Sequence, residues 1–266
     1  MTEKELILTH VLKCRRADLH FKEISLTAEQ NKTVEQILGR RSRGEPLQYI
    51  LGECEFMGYP LKVDDRVLIP RPETERLVEI VVEEMTRQKD SLCLGLDIGT
   101  GSGNITIALL QLIKNLRMTA LDISQEALDV ARDNALLNKV ENRVEFIKGD
   151  VFKWLNADNV IPRQYSLIVS NPPYIRKNKL ATLPDDVKKE PLLALDGGDD
   201  GLMFYKHIIS NSTRVLKPGG WLFFEIGEEQ GKSLDNLLTR QGSFVNIQVI
   251  KDFNQRDRII KAQLKS

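Results

Sequence analysis

The chain has 266 residues, 41% of them hydrophobic and 29% charged, and 38 basic residues balance 38 acidic ones. That length suits one α/β domain with a small appendage. The neutral balance supplies no global basic field to gather nucleic acid, although a local basic patch is compatible with it. No apolar run approaches the roughly 20 residues needed to span a bilayer, and the acidic start Thr2-Glu3-Lys4-Glu5 is unlike a signal or transit peptide, so a cytoplasmic protein is expected.

In chain order, the first fifty residues carry helical periodicity. Thr2-x-x-Glu5 and Thr27-x-x-Gln30 both fit the capping box that satisfies orphan amides at a helix start. Leu8, Val11 and Leu12 are expected on one buried face of the first helix, and Val34, Ile37 and Leu38 on that of the second. The second helix closes on Arg40, Arg41 and Arg43 before Gly44, as dipole and cap require. Residues 1–52 thus read as a small helical domain, either a solvated bundle that merely packs or a docking domain for a protein partner. Over residues 53–72 the short apolar pieces Phe56 to Leu61 and Val67 to Ile69, broken by Gly58, Pro60 and Asp64-Asp65, predict a hairpin-like linker stiffened at its exit by Pro70 and Pro72. A helix through Leu77, Ile80, Val81 and Met85 then opens a domain over residues 73–266.

Within it, Cys93 to Ile98, Met118 to Asp122, Val144 to Lys148, Tyr165 to Ser170 and Trp221 to Ile226 are strand-like, with helical patterns in most of the gaps. Phe244 to Val249 and Arg258 to Ala262 follow without room for a crossover helix. The pattern predicts a doubly wound, Rossmann-like α/β fold with a mainly parallel seven-stranded sheet that ends in an antiparallel hairpin. Cys14, Cys54 and Cys93 lie far apart without a CxxC partner, and His10, His20 and His207 are scattered, so neither a disulfide framework nor a metal site is expected.

Chemistry enters at Asp97-Ile98-Gly99-Thr100-Gly101-Ser102-Gly103-Asn104, a glycine-rich turn between a buried strand and a helix. Glycines there permit positive φ and let backbone amides approach a ligand at the helix start. The spacing is GxGxG rather than the GxGxxG of dinucleotide sites, which disfavours a dinucleotide. Asp122 ends the next strand, where a ribose diol would lie, and Asp150 ends the third, where it could accept from an adenine amino group beside apolar Val151 and Phe152. Singly, either aspartate could be a loop carboxylate or a cap. Jointly, at successive strand ends, they favour a nucleoside site.

Asn171-Pro172-Pro173-Tyr174 follows the apolar strand Leu167-Ile168-Val169-Ser170. A Pro-Pro terminator explains the prolines alone. The Asn171 side-chain oxygen and the Pro172 carbonyl can both accept from one NH2 group, the prolines hold them rigidly, and Tyr174 can stack on a planar target. An amide or exocyclic amine nitrogen is a poor nucleophile, so a cradle of oxygen lone pairs and an aromatic face suits methyl transfer to it from the sulfonium of S-adenosylmethionine.

Across nearly its whole length the chain resembles the HemK-type glutamine methyltransferases that modify bacterial peptide-chain release factors. The most discriminating matches are Gly44-Glu45-Pro46-Leu47-Gln48-Tyr49-Ile50-Leu51-Gly52 and Val67-Leu68-Ile69-Pro70-Arg71-Pro72-Glu73-Thr74-Glu75. Glu190-Pro191, Asp196 to Gly201, Leu216-Lys217-Pro218-Gly219-Gly220 and Arg256-Asp257-Arg258 add to them. The resemblance implies methylation of the side-chain amide of the glutamine in a release factor's Gly-Gly-Gln loop. It makes Gly99 to Gly103, Asp122 and Val151 cofactor contacts, Asn171 to Tyr174 the glutamine site, and the N-terminal domain the docking module. Where some relatives carry tryptophan this chain has Val151, which leaves the adenine packing either looser or completed by another residue. Arg71, Glu73 and Thr74 are expected either to line the cleft or to brace the hinge, and Asp196 to Gly201 to be a lid or a solvated loop. The rival reading is an amino methyltransferase acting on adenine or guanine, to which a flipped base would present the same planar NH2. A third, a non-enzymatic nucleotide-binding protein, leaves Asn171 and Tyr174 without a purpose.

Overall fold

A computed structural model describes residues 2–15, 17–21, 25–87, 92–157, 162 and 164–266. The N-terminal helices are α1 (Glu3–Leu12), α2 (Asp18–Phe21), α3 (Ala28–Arg41) and α4 (Leu47–Leu51). Both expected capping boxes form: Thr2 and Thr27 accept from the amides of Glu5 and Gln30, whose side chains reach back to the cap amides. The small core beneath them joins Ile7, Ile37 and Leu47, with Leu6, Val11 and Val34 against it. Two expectations fail here, since Ile7 rather than Leu8 is the central residue of α1 and Leu38 is 50% exposed. α1 is apolar on several sides, so the placing of α3 and α4, not its own periodicity, selects the buried face.

The linker begins with an antiparallel hairpin, β1 (Glu53–Phe56) and β2 (Tyr59–Lys62). Its two-residue turn, Met57-Gly58, takes positive φ at both positions, the twist that a tight hairpin needs. The hairpin leads to α5 (Pro72–Arg87), then β3 (Cys93–Ile98), α6 (Asn104–Leu112), β4 (Leu116–Asp122), α7 (Gln125–Leu137), β5 (Val144–Lys148), α8 (Val151–Trp154), β6 (Tyr165–Ser170), α9 (Met203–Val215), β7 (Leu216–Glu225), α10 (Gly231–Gln241), β8 (Phe244–Lys251) and β9 (Asp257–Leu264). Among the described residues the large sheet has seven strands in the order β5-β4-β3-β6-β7-β9-β8; β3 to β7 are parallel, and β9 inserts antiparallel between β7 and β8.

Alternation along the strands builds both layers. Leu167, Val169, Trp221 and Phe223 face α5 and α6, while Ile168, Leu222 and Phe224 face α9 and α10. Burying each such side chain contributes about 1.5–3 kcal/mol relative to exposure. The linker is bound to this domain rather than hanging from it. Val63, Val67 and Ile69 pack with Tyr49 on Ala127 and Val130 of α7. Asn134 of α7 accepts from the Lys62 amide (2.7 Å) and donates to the carbonyls of Lys62 and Ser102 (2.9 Å each), joining the hairpin to the glycine-rich turn. No helix among the described residues is long and apolar enough to cross a membrane.

Candidate active site

The chain leaves β3 and turns toward β4 on one side, whereas β6 lies on the other. The carboxyl ends of β3, β4, β5 and β6 therefore border the crevice that such a reversal of strand order opens. A cavity of about 380 Å³ occupies it. Its floor is Ile98, Gly99 and Gly101; one side carries Asp122, Ile123, Asp150, Val151 and Phe152, and the other Asn171, Pro172 and Pro173. Residues 65–68 of the linker, with Pro191, Leu193, Ala194 and Phe204, close it, and none of these wall residues was assigned a site role from sequence.

The glycine turn divides its labour. Gly99 and Gly101 adopt φ of +74° and +54°, and no atom stands within 4 Å of where their Cβ atoms would be, so their backbone presents open space to a ligand. Gly103 also has positive φ, but its missing Cβ leaves room for Ala131 of α7, at 3.2 Å, and so serves packing. Thr100 and Ser102 are buried and do not line the cavity; the Thr100 hydroxyl donates to Asp97 Oδ2 at 2.7 Å, as does that of Thr106. Burial pushes the Asp97 carboxyl up to about 6, and its Oδ1 is buried with no hydrogen-bond partner. Asp97 does not itself border the cavity; through Thr100 and Thr106 its carboxyl braces the turn that forms the cavity floor.

Asp122 Oδ2 accepts from the Gly101 amide and Oδ1 from that of Ser124, both at 2.9 Å. Each oxygen retains a second lone pair, so the carboxylate can still receive a diol while it holds the turn. Burial raises its pKa, against which the amides of Ser124, Gly101 and Ile123 favour the charged form. Asp150 caps α8 through the Phe152 amide at 3.0 Å and borders the cavity, so the cap and the site readings of this residue coexist. Beside Val151, apolar area comes from Phe152, braced by Phe204 and His207 at ring distances of 5.3 and 4.6 Å, and from Ile123, which is 52% exposed. Glycine backbone, a diol acceptor and an apolar slot are together the donor and acceptor set of S-adenosylmethionine.

Ser170 ties the end of β6 to β3 by donating to the Ile98 carbonyl at 2.6 Å, which aims Asn171 at the cavity. Tyr174 does not line it; the half-buried ring packs against the α9 and α10 layer, and burial pushes its phenol up to about 12. The stretch Asp196 to Gly201 is neither lid nor free loop. The Ile175 amide donates to the Leu195 carbonyl (3.0 Å), the Gly197 amide to the Ile175 carbonyl (2.8 Å), and the Lys177 amide to the Gly198 carbonyl (2.9 Å). Gln230 closes this clasp by donating to the carbonyls of Tyr174 and Gly201.

Arg71 pairs with buried Glu190, not with Glu73, and Glu190 also accepts from the Ile69 amide at 3.2 Å. The linker exit is thereby fastened to the segment that follows the Asn-Pro-Pro-Tyr turn. Thr74 and Glu225, both 1% exposed, stand behind Asn171: the Thr74 hydroxyl donates to Glu225 Oε2 at 2.6 Å and accepts from Asn171 Nδ2 at 3.3 Å. Sequence reasoning gave Glu190 no role beyond its place in the Glu190-Pro191 match and missed Glu225 altogether, because each lies far along the chain from its partner.

The methyltransferase-domain family matches residues 89–252, and the PrmC N-terminal domain family matches residues 2–52. A release factor glutamine methyltransferase from Thermodesulfovibrio yellowstonii is 38% identical, covering 98% of this chain and 91% of its own. Another, from Fusobacterium nucleatum, is 40% identical, covering 99% and 73%. Among solved structures, the hMettl16 catalytic domain in complex with MAT2A 3'UTR hairpin 6 superposes with a TM-score of 0.57 at 16% identity, over 91% of this chain and 84% of that one, a likeness of fold. With identity at that level along almost its full length, the chain belongs to the release factor glutamine methyltransferase family.

Proposed function

We propose that this protein transfers the methyl group of S-adenosylmethionine to the side-chain amide nitrogen of the glutamine in the Gly-Gly-Gln loop of peptide-chain release factors, in the cytoplasm. The observation that carries the reading is Asn171, set at the edge of the cavity beside Pro172 and opposite Gly99, Gly101 and Asp122. The cofactor supplies an electrophilic methyl group on its sulfonium. Asn171 Oδ1 and the Pro172 carbonyl accept the two amide protons, holding the nitrogen lone pair toward the cavity and stabilising the positive charge it acquires. The nitrogen then loses one proton to solvent, so the products are the methylated amide, the thioether and a proton. Tyr174, packed behind the prolines against the α9 and α10 layer, keeps their turn in place rather than stacking on the substrate. Gly99, Gly101, Asp122, Asp150 and Val151 hold the cofactor; Thr100, Ser102 and Gly103 shape the turn. Residues 1–52 dock the release factor, 53–72 hold that domain beside the cleft, and 73–266 carry the chemistry.

The test is transfer of labelled methyl to purified release factor, to the factor with its loop glutamine replaced, and to total RNA and DNA. Label on the intact factor alone is expected; label on nucleic acid with the factor untouched would establish the base-directed rival. Within the cofactor site, Asp122→Ala is expected to weaken S-adenosylmethionine binding by roughly 10- to 100-fold, the worth of charge-assisted hydrogen bonds. Calorimetry decides it, and an unchanged Kd would remove the diol role.

A further inference from the structure

Asn171 can serve an NH2 group only if its oxygen, not its own nitrogen, faces that group, and nothing in an isolated asparagine fixes this choice. A hydroxyl carries one proton. That of Thr74 is committed to Glu225 Oε2 at 2.6 Å, so Thr74 Oγ1 can only accept from Asn171, and the end of the amide it meets at 3.3 Å is Nδ2. Oδ1 is left for the opposite side of a residue that lines the cavity. Resting on the role given to Asn171 above, we propose that Glu225 and Thr74 form a hydrogen-bond relay that sets the orientation of the Asn171 amide, and that both are positioning residues for methyl transfer.

The fold places the relay with care. Thr74 is the third residue of α5, whose start is fixed by Pro72 and by the Arg71 pair with Glu190, and Glu225 ends β7. The polarity runs one way as long as Glu225 is a carboxylate, which accepts only. A protonated Glu225 could donate to Thr74, whose own proton would then turn to Asn171 Oδ1 and present the wrong end of the amide to the substrate. Arg258 of β9, Arg71, Glu73 of α5 and the phenols of Tyr174 and Tyr205 also act on Glu225, although the Tyr205 hydroxyl is bound to the Glu225 backbone carbonyl at 2.7 Å. Burial pushes Glu225 up to about 7, against the pull of Thr74 and Arg258 toward the charged form.

The experiment compares full-length Thr74→Val, Thr74→Ser and Glu225→Gln with the native protein, in single-turnover methyl transfer to release factor across pH, alongside melting temperature and S-adenosylmethionine affinity. Thr74→Val, which keeps the volume and removes the hydroxyl, is expected to slow transfer on the order of 10- to 100-fold with cofactor affinity unchanged. Thr74→Ser should restore most of the rate. The native rate should fall as pH drops through about 7, and Glu225→Gln should be slow with that limb absent. A folded Thr74→Val enzyme at native rate would overturn the relay, as would Thr74→Ser as slow as Thr74→Val, the mark of a packing role. If Thr74→Val does not fold, the serine and glutamine variants decide. Label appearing on nucleic acid instead would fail the substrate reading alone, and the same variants run on that substrate would still decide the relay.

Discussion

Asn171→Ala is expected to lower the rate of methyl transfer by about 10²- to 10³-fold, equivalent to roughly 3–4 kcal/mol of transition-state stabilisation. The size follows from what the amide nitrogen lacks. Its lone pair is delocalised, and it gains positive charge beside buried protein, where an oriented acceptor is worth more than in bulk solution. The variant loses that acceptor while Gly99, Gly101 and Asp122 are untouched, so the Kd for S-adenosylmethionine should stay within a few-fold. Stability should fall by only about 1 kcal/mol, because Asn171 is half-buried and its side chain donates a single 3.3 Å bond, to Thr74. Single-turnover kinetics, calorimetry and a thermal melt separate the three quantities, and transfer at the native rate would remove Asn171 from the chemistry.

The central strands β3, β4 and β6 were legible because they are buried along most of their length and read as short apolar runs between turn residues, as Leu167 to Ser170 does before Asn171. Helices α5, with Leu77, Ile80, Val81 and Met85 on its buried face, and α6, which the glycine-rich turn opens, were equally plain. The buried face of α1 was not, because Leu6, Ile7, Leu8, Val11 and Leu12 surround the helix and only its neighbours make Ile7 the centre. In the glycine-rich turn the spacing announced a ligand loop but could not assign its members. Gly101 opens on the cavity, Gly103 yields to Ala131, and Thr100 turns back to Asp97, distinctions that depend on where α7 and β4 lie. The roles of Glu190 and Glu225 escaped for a different reason. The role of a buried carboxylate is specified by a partner 119 or 151 positions away, and a linear pattern does not name that partner even where, as at Glu190-Pro191, it marks the residue.

Asp196 to Gly201 shows how composition misleads: an acidic, glycine-rich stretch reads as solvated, yet Gly197 is there because backbone stands where a side chain would be. A Cβ on Gly197 would lie 2.7 Å from Tyr174 Cα and 2.8 Å from both the Pro173 carbonyl oxygen and Tyr174 C. Nothing in that set is the flexible end of a side chain, so Gly197→Ala must move the Pro173-Tyr174 backbone itself. Overpacking of this kind costs about 1–3 kcal/mol, and a shift near 1 Å at the prolines would misplace the acceptors by enough to slow transfer up to about 100-fold. Cofactor affinity should change far less, since the glycine turn and Asp122 belong to other strands. Gly39→Ala is the matched control. Gly39 lies within α3, its new Cβ would meet only the end of the Arg43 side chain at 3.8 Å, and the substitution is expected to stabilise the fold by about 0.4–1 kcal/mol. The same added methyl should therefore raise the melting temperature at one glycine and, at the other, lower it together with the rate. If Gly197→Ala transfers methyl at the native rate, the clasp holds the chain together without positioning the glutamine, and the geometry of the Asn-Pro-Pro-Tyr turn must be set by β6 and the prolines alone.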